Sequence, residues 1–141
     1  MQPENTPSPV IDAILKHNRA FVDERAYERY RTDKYPDKKL AIVTCMDTRL
    51  TELLPAALGL KNGDAKIIKV AGAEVAHPFG SVMRSLLIAV CELGVEDIMI
   101  VAHTNCGAQH MSGKEMGFIQ EAFDTNWVVP LGPNVNAFEQ D

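Results

Sequence analysis

The sequence predicts an α/β fold in three layers: a central, mostly parallel β-sheet of strand order 2-1-3, open to a further strand, with helices on both faces and an N-terminal helical arm. Three short runs carry this expectation: Leu40 to Thr44 (LAIVT), Ala65 to Ala71 (AKIIKVA) and Asp97 to Ala102 (DIMIVA). Each is apolar, rich in β-branched residues and too short for a helix, which is the pattern of a buried strand. Helical stretches lie between them, and strand, helix, strand, helix, strand implies parallel strands joined by right-handed crossovers.

In chain order, residues 1–9 with Pro3, Pro7 and Pro9 read as a flexible leader, ended by Ser8 as N-cap and Pro9 at the first helical position. Ile11, Ile14, Leu15, Asn18 and Phe21 or Val22 recur at helical spacing and predict an amphipathic helix of about five turns. Charges of both signs crowd residues 16–39, as on a solvated face, and Asp33 to Lys39 around Pro36 reads as a loop. Thr51 to Leu58 and Ser81 to Leu93 are the intervening helices, the second stopped by Gly94 as C-cap. A further helix is expected over Ser112 to Phe123, with Ser112 and Glu115 as a capping box. Beyond Asp124 the pattern supports no element, and Trp127, Val128 and Val129 are its one apolar anchor.

At 141 residues the chain fits a single domain spanning 1–141, with residues 124–141 as a tail. Hydrophobic residues at 46% and charged residues at 23% exclude disorder and disulfide-rich scaffolds. A net charge of −5 argues against nucleic acid, whose binding needs clustered Lys and Arg. The longest apolar run, Leu86 to Cys91, is far short of a membrane span, and the first residues lack a signal sequence, so the expected location is the cytoplasm and no membrane partner is expected.

Chemistry concentrates just after two of the strands. Cys45-Met46-Asp47-Thr48-Arg49 follows the first, and His103-Thr104-Asn105-Cys106-Gly107 follows the third. In an open parallel sheet ligands collect at the carboxyl ends of strands where the order reverses. With strands one and three adjacent, Cys45 comes beside His103 and Cys106 across 58 positions of sequence. Two thiolates and an imidazole suit Zn2+, and three protein ligands leave a fourth position open, as in catalytic sites. Taken singly, each cysteine reads as a small core residue; the spacing of Cys106 three after His103 turns the balance. His110 reads as an ordinary histidine and Cys91, amid Leu86, Leu87, Ile88 and Val90, as core. Asp47 and Arg49 are expected to pair, either as a plain ion pair or as a carboxylate beside the metal. Asp47 could then hold a bound water or itself ligate zinc and close the site.

These residues resemble the two signatures of the β-class carbonic anhydrases. Ala71-Gly72-Ala73, His77-Pro78-Phe79-Gly80-Ser81 and Arg84-Ser85-Leu86-Leu87 are similar to the segment between them, so the likeness covers about Leu40 to Gly113. The resemblance implies Cys45, His103 and Cys106 as zinc ligands, Asp47 and Arg49 as the catalytic dyad, and a homodimer or higher homo-oligomer clasped through the N-terminal helix. Many family members carry Asp where Asn105 stands and Arg-Asn where Lys69-Val70 stands, and residues 114–141 do not resemble the family's continuation. The implied reaction is reversible hydration of carbon dioxide to bicarbonate by zinc-bound hydroxide. Val70, Val75 or Phe79 could wall a small apolar pocket, although core packing is the plainer role for each. Two other readings share the ligands: a zinc-binding family member without turnover, and a hydrolase of carbonyl sulfide or carbon disulfide.

Overall fold

The computed structural model describes residues 8–110 and divides the chain into two compact units, Met1–Asp33 and Lys34–Asp141. The expected helix over 112–123 and the run at 127–129 lie outside the described residues.

In the first unit, α1 spans Pro9–Asp23. It starts as the sequence predicts: the Ser8 hydroxyl accepts a 3.3 Å hydrogen bond from the amide of Ile11, and Pro9 loses nothing at a position whose N–H would be unpaired anyway. The helix runs about four turns rather than five. Arg25 takes a left-handed conformation (φ 55) that breaks the helical path, and a short 3-10 turn, Ala26–Tyr30, follows. Val10, Ile11, Ile14 and Leu15 on α1 are exposed.

The second unit holds the sheet. Strands β1 (Leu40–Cys45), β2 (Ala65–Val70) and β3 (Asp97–Val101) are parallel in the order β2-β1-β3, with Cys45 opposite Val70 and Thr44 opposite Val101. Helix α2 (Leu50–Ala57) joins β1 to β2 and α3 (Ser81–Glu92) joins β2 to β3. The helices cover opposite faces: Leu50 and Leu54 of α2 cluster with Ile42, while Leu86 and Ala89 of α3 cluster with Ala41 and Val43. The alternation of side chains along β1 makes this possible, because successive residues face opposite sides of the sheet. Gly94, at φ 74, ends α3 in the left-handed region, and the amide of Val95 turns back to the Ala89 carbonyl at 3.0 Å. No helix among the described residues is long and apolar enough to cross a membrane.

Two burial expectations are corrected. Among the described strands only β1 is buried, from Ala41 to Cys45: β2 is half-buried, and Ile98, Met99 and Ile100 of the edge strand β3 are exposed. Cys91 is exposed rather than core. At about 100° per residue it lies roughly 140° around α3 from Leu86, so it points away from the face that Leu86 and Ala89 bury.

Candidate metal centre

The C-terminal ends of β1 and β3 place the site. Cys45 is the last residue of β1, and Cys106 sits five residues past the end of β3. Their sulfurs lie 3.7 Å apart, and both residues are buried, at 5% and 6% exposure. His103 completes the group: one imidazole nitrogen and the two sulfurs all fall within 4.8 Å of one another. The cysteines belong to the apolar cluster of Ile42, Leu50 and Leu54 under α2, so the core role that each has alone and the paired role coexist.

The histidine ring is set by its neighbour. His103 Nδ1 lies 2.9 Å from the carbonyl oxygen of Thr104, which can only accept, so Nδ1 carries the proton and Nε2 presents a lone pair. That Nε2 is buried and has no hydrogen-bond partner. A buried nitrogen left unpaired costs free energy unless something outside the polypeptide satisfies it. The sulfur spacing agrees, since two zinc–sulfur bonds of about 2.3 Å at a tetrahedral angle separate the sulfurs by about 3.8 Å. The donor set and its spacing therefore fit a zinc ion.

Burial by itself would raise the Cys45 thiol. Its polar neighbours outweigh burial, the adjacent His103 imidazole first, then the backbone of Asp47 and Gly72 and the Cys106 thiol, and bring it down to about 7. A thiol so disposed gives up its proton readily, which metal ligation requires. Gly72 reaches Cys45 because it has no side chain: its φ of 70 is left-handed, and a Cβ there would come within 3.2 Å of the Ala108 Cβ.

Asp47 stands at the rim, its Oδ2 4.0 Å from His103 Nε2. Arg49 grips it as the sequence predicts, with Nε to Oδ1 at 2.9 Å and Nη2 to Oδ2 at 2.7 Å, and the Arg49 amide adds a third bond to Oδ1 at 2.9 Å. These bonds hold the Asp47 carboxyl well below the usual carboxylate range and raise the Arg49 guanidinium above its own. Arg49 Nη2 also donates to the backbone carbonyl of Asn105 at 2.8 Å. The sequence reading missed this contact. Its one trace in sequence is the identity of residue 105, because asparagine tolerates the left-handed conformation (φ 53) that it adopts.

Of the three residues that could wall a pocket, two take the plainer core role and Phe79 does not. Val70 and Val75 pack against the core on the α3 side, and Phe79 is 90% exposed. His110 ends a short 3-10 turn, Gly107–His110, and its side chain is outside those described.

Residues 40–141 match the carbonic anhydrase family, and the chain belongs to it, in the β class. Over 111 residues it is 62% identical to a Bacillus subtilis protein named "Putative carbonic anhydrase YvdA", covering 79% of this chain and 55% of that one. Over 103 residues it is 31% identical to a carbon disulfide hydrolase of Saccharolobus solfataricus, covering 70% of this chain and 48% of that one. The chain thus spans about half the length of these relatives. Among solved structures, the β-carbonic anhydrase isoform I of Trichomonas vaginalis superposes with a TM-score of 0.72 at 33% identity, covering 94% of this chain and 69% of that one.

Proposed function

We propose that this protein catalyses the reversible hydration of carbon dioxide to bicarbonate, with zinc held by Cys45, His103 and Cys106 and with Asp47 and Arg49 as the catalytic dyad. The observation that carries the reading is the buried, unpartnered His103 Nε2 beside two sulfurs 3.7 Å apart, with a clamped carboxylate at 4.0 Å. When bound, the metal supplies Lewis acidity that makes hydroxide available from water near neutral pH.

The chain's own residues do the rest. Cys45 and Cys106 bind as thiolates and bring negative charge, which moderates the acidity that the metal confers. The hydrogen bond of His103 to Thr104 keeps the imidazole oriented for ligation. Asp47 accepts a hydrogen bond from the reacting water and orients it toward the carbon of CO2, and addition of hydroxide there gives bicarbonate. Arg49 occupies both Asp47 oxygens, keeping the carboxylate charged and preventing it from closing the fourth ligand position itself. The apolar cluster beneath the cysteines gives the site a water-poor floor suited to a small apolar substrate. We further propose a cytoplasmic homo-oligomer, at least a dimer, clasped through α1, whose apolar residues Val10, Ile11, Ile14 and Leu15 are exposed.

One observation favours a second substrate, the 31% identity to a carbon disulfide hydrolase. Both substrates are linear, apolar and attacked at carbon, so the ligands serve either. Parallel assays on the zinc-loaded protein separate them: CO2 hydration followed by stopped-flow, and release of hydrogen sulfide from carbon disulfide. The proposal expects the first to be fast and the second to be absent; the reverse would overturn it.

A further inference from the structure

Arg49 Nη2 serves two loops at once. It donates to Asp47 Oδ2 at 2.7 Å, on its own loop after β1, and to the carbonyl of Asn105 at 2.8 Å, on the loop after β3. The first contact spans two residues and the second spans 56. The Asp47 contacts therefore tie Arg49 only to its own loop. Among the described residues, the Asn105 contact is the hydrogen bond that ties the pair to the segment carrying His103 and Cys106, beside the longer 4.0 Å approach of Asp47 Oδ2 to His103 Nε2.

That contact depends on the backbone at residue 105. A carbonyl's direction follows the φ and ψ of its residue, and Asn105 holds φ 53, a region that costs most residues strain, β-branched ones above all, while glycine enters it freely. In extended backbone the 105 carbonyl would swing off Arg49, and the half-exposed guanidinium would lose its fixed place. Arg49 would still neutralise Asp47, but Asp47 would no longer be held at a set distance from His103.

We infer that Asn105 is a positioning residue: its left-handed backbone aims a carbonyl at Arg49 and so fixes Asp47 against the loop that bears His103 and Cys106. This rests on the reading of Asp47 and Arg49 as a dyad. It concerns the backbone rather than the amide side chain, which makes it separable by substitution.

The test uses full-length, zinc-loaded protein with 15N-labelled arginine. Solvent exchange of the Arg49 Nη2 protons, which donate to the Asn105 carbonyl and to Asp47, is measured by NMR beside zinc content and the kcat and KM for CO2. Asn105→Gly should keep both the slow exchange and kcat within about twofold, since glycine adopts the conformation without strain. Asn105→Val should speed exchange and lower kcat, each about tenfold, with KM and zinc content little changed. Should Asn105→Val fail to fold or take up zinc, Asn105→Ala is read instead and must fall between wild type and that change. Slow exchange in the valine or alanine variant, or a glycine variant as impaired as valine, would overturn the inference. If the exchange series holds but the wild type does not hydrate CO2, the dyad reading fails and the positioning of Arg49 stands.

Discussion

The sulfur atoms of Cys45 and Cys106 lie 3.7 Å apart although 61 positions of sequence separate the residues. The pairing is a product of strand order. Because β3 joins the sheet beside β1 rather than beside β2, the loop after it arrives next to the end of β1. Replacing either sulfur by oxygen should therefore remove the metal. Elemental analysis is expected to find about one zinc per chain in the wild type and in Cys91→Ser, and loss of zinc in Cys45→Ser and Cys106→Ser. Loss in Cys91→Ser alone would place the metal elsewhere.

Removing the arginine should leave zinc bound and suppress the reaction. In Arg49→Ala the Asp47 carboxylate loses two of its three hydrogen bonds from residue 49 together with the charge that accompanies them, keeps only the one from the backbone amide, and is released toward the fourth ligand position. Loss of a residue that orients such a group costs about 10- to 100-fold in activity. Steady-state hydration at neutral pH with zinc content measured in parallel checks this; full activity in Arg49→Ala would remove Arg49 from the dyad.

Acid sensitivity should come partly from a carboxylate far from the site. Asp64 is buried just before β2, where its carboxylate accepts from the Lys61 amide at 2.9 Å and from Lys61 Nζ at 3.1 Å. The amide bond first, and then the lysine, lower its pKa in the folded state. A depressed folded value means that the stabilisation is present above the unfolded value, about 3.9, and is lost as pH falls through the folded one. Melting curves of wild type and Asp64→Asn should thus differ most near neutrality and converge below about pH 4. A constant difference across that range would show that the charge plays no part.

The junction of β1 and β3 has its own latch. Thr44 is wholly buried and its hydroxyl donates to the Val101 carbonyl at 3.0 Å. Thr44→Val preserves the shape and removes that donor, which should cost about 1–2 kcal/mol and lower the Tm by several degrees. An unchanged Tm would mean that the hydroxyl contributes nothing to the joint.

Much of this was legible in the sequence because the signals were short-range and of two kinds. Runs such as LAIVT are too short and too β-branched to be helices, and the alternation with helical stretches leaves few topologies. The site followed from that topology, since residues just past strand ends converge whatever their distance in sequence, and Cys45, His103, Cys106, Asp47 and Arg49 all come together. What failed was burial. Leu86 to Cys91 is apolar all round the helix, so periodicity could not say which side faces the sheet, and Cys91 proved to be exposed. Ile98, Met99 and Ile100 look like a core strand by composition, but β3 lies at the edge of the described sheet. The Arg49 contact with Asn105 was illegible for a different reason: it uses a backbone carbonyl, which every residue has, and its direction depends on a dihedral angle.

The central claim is that this cluster of two sulfurs and one imidazole, with its clamped carboxylate, turns over carbon dioxide. Stopped-flow hydration by a series of samples loaded with increasing zinc tests it most directly. The account predicts a rate that rises in proportion to zinc bound up to one equivalent per chain and is abolished in Cys106→Ser. Full zinc occupancy with no acceleration over buffer would contradict it.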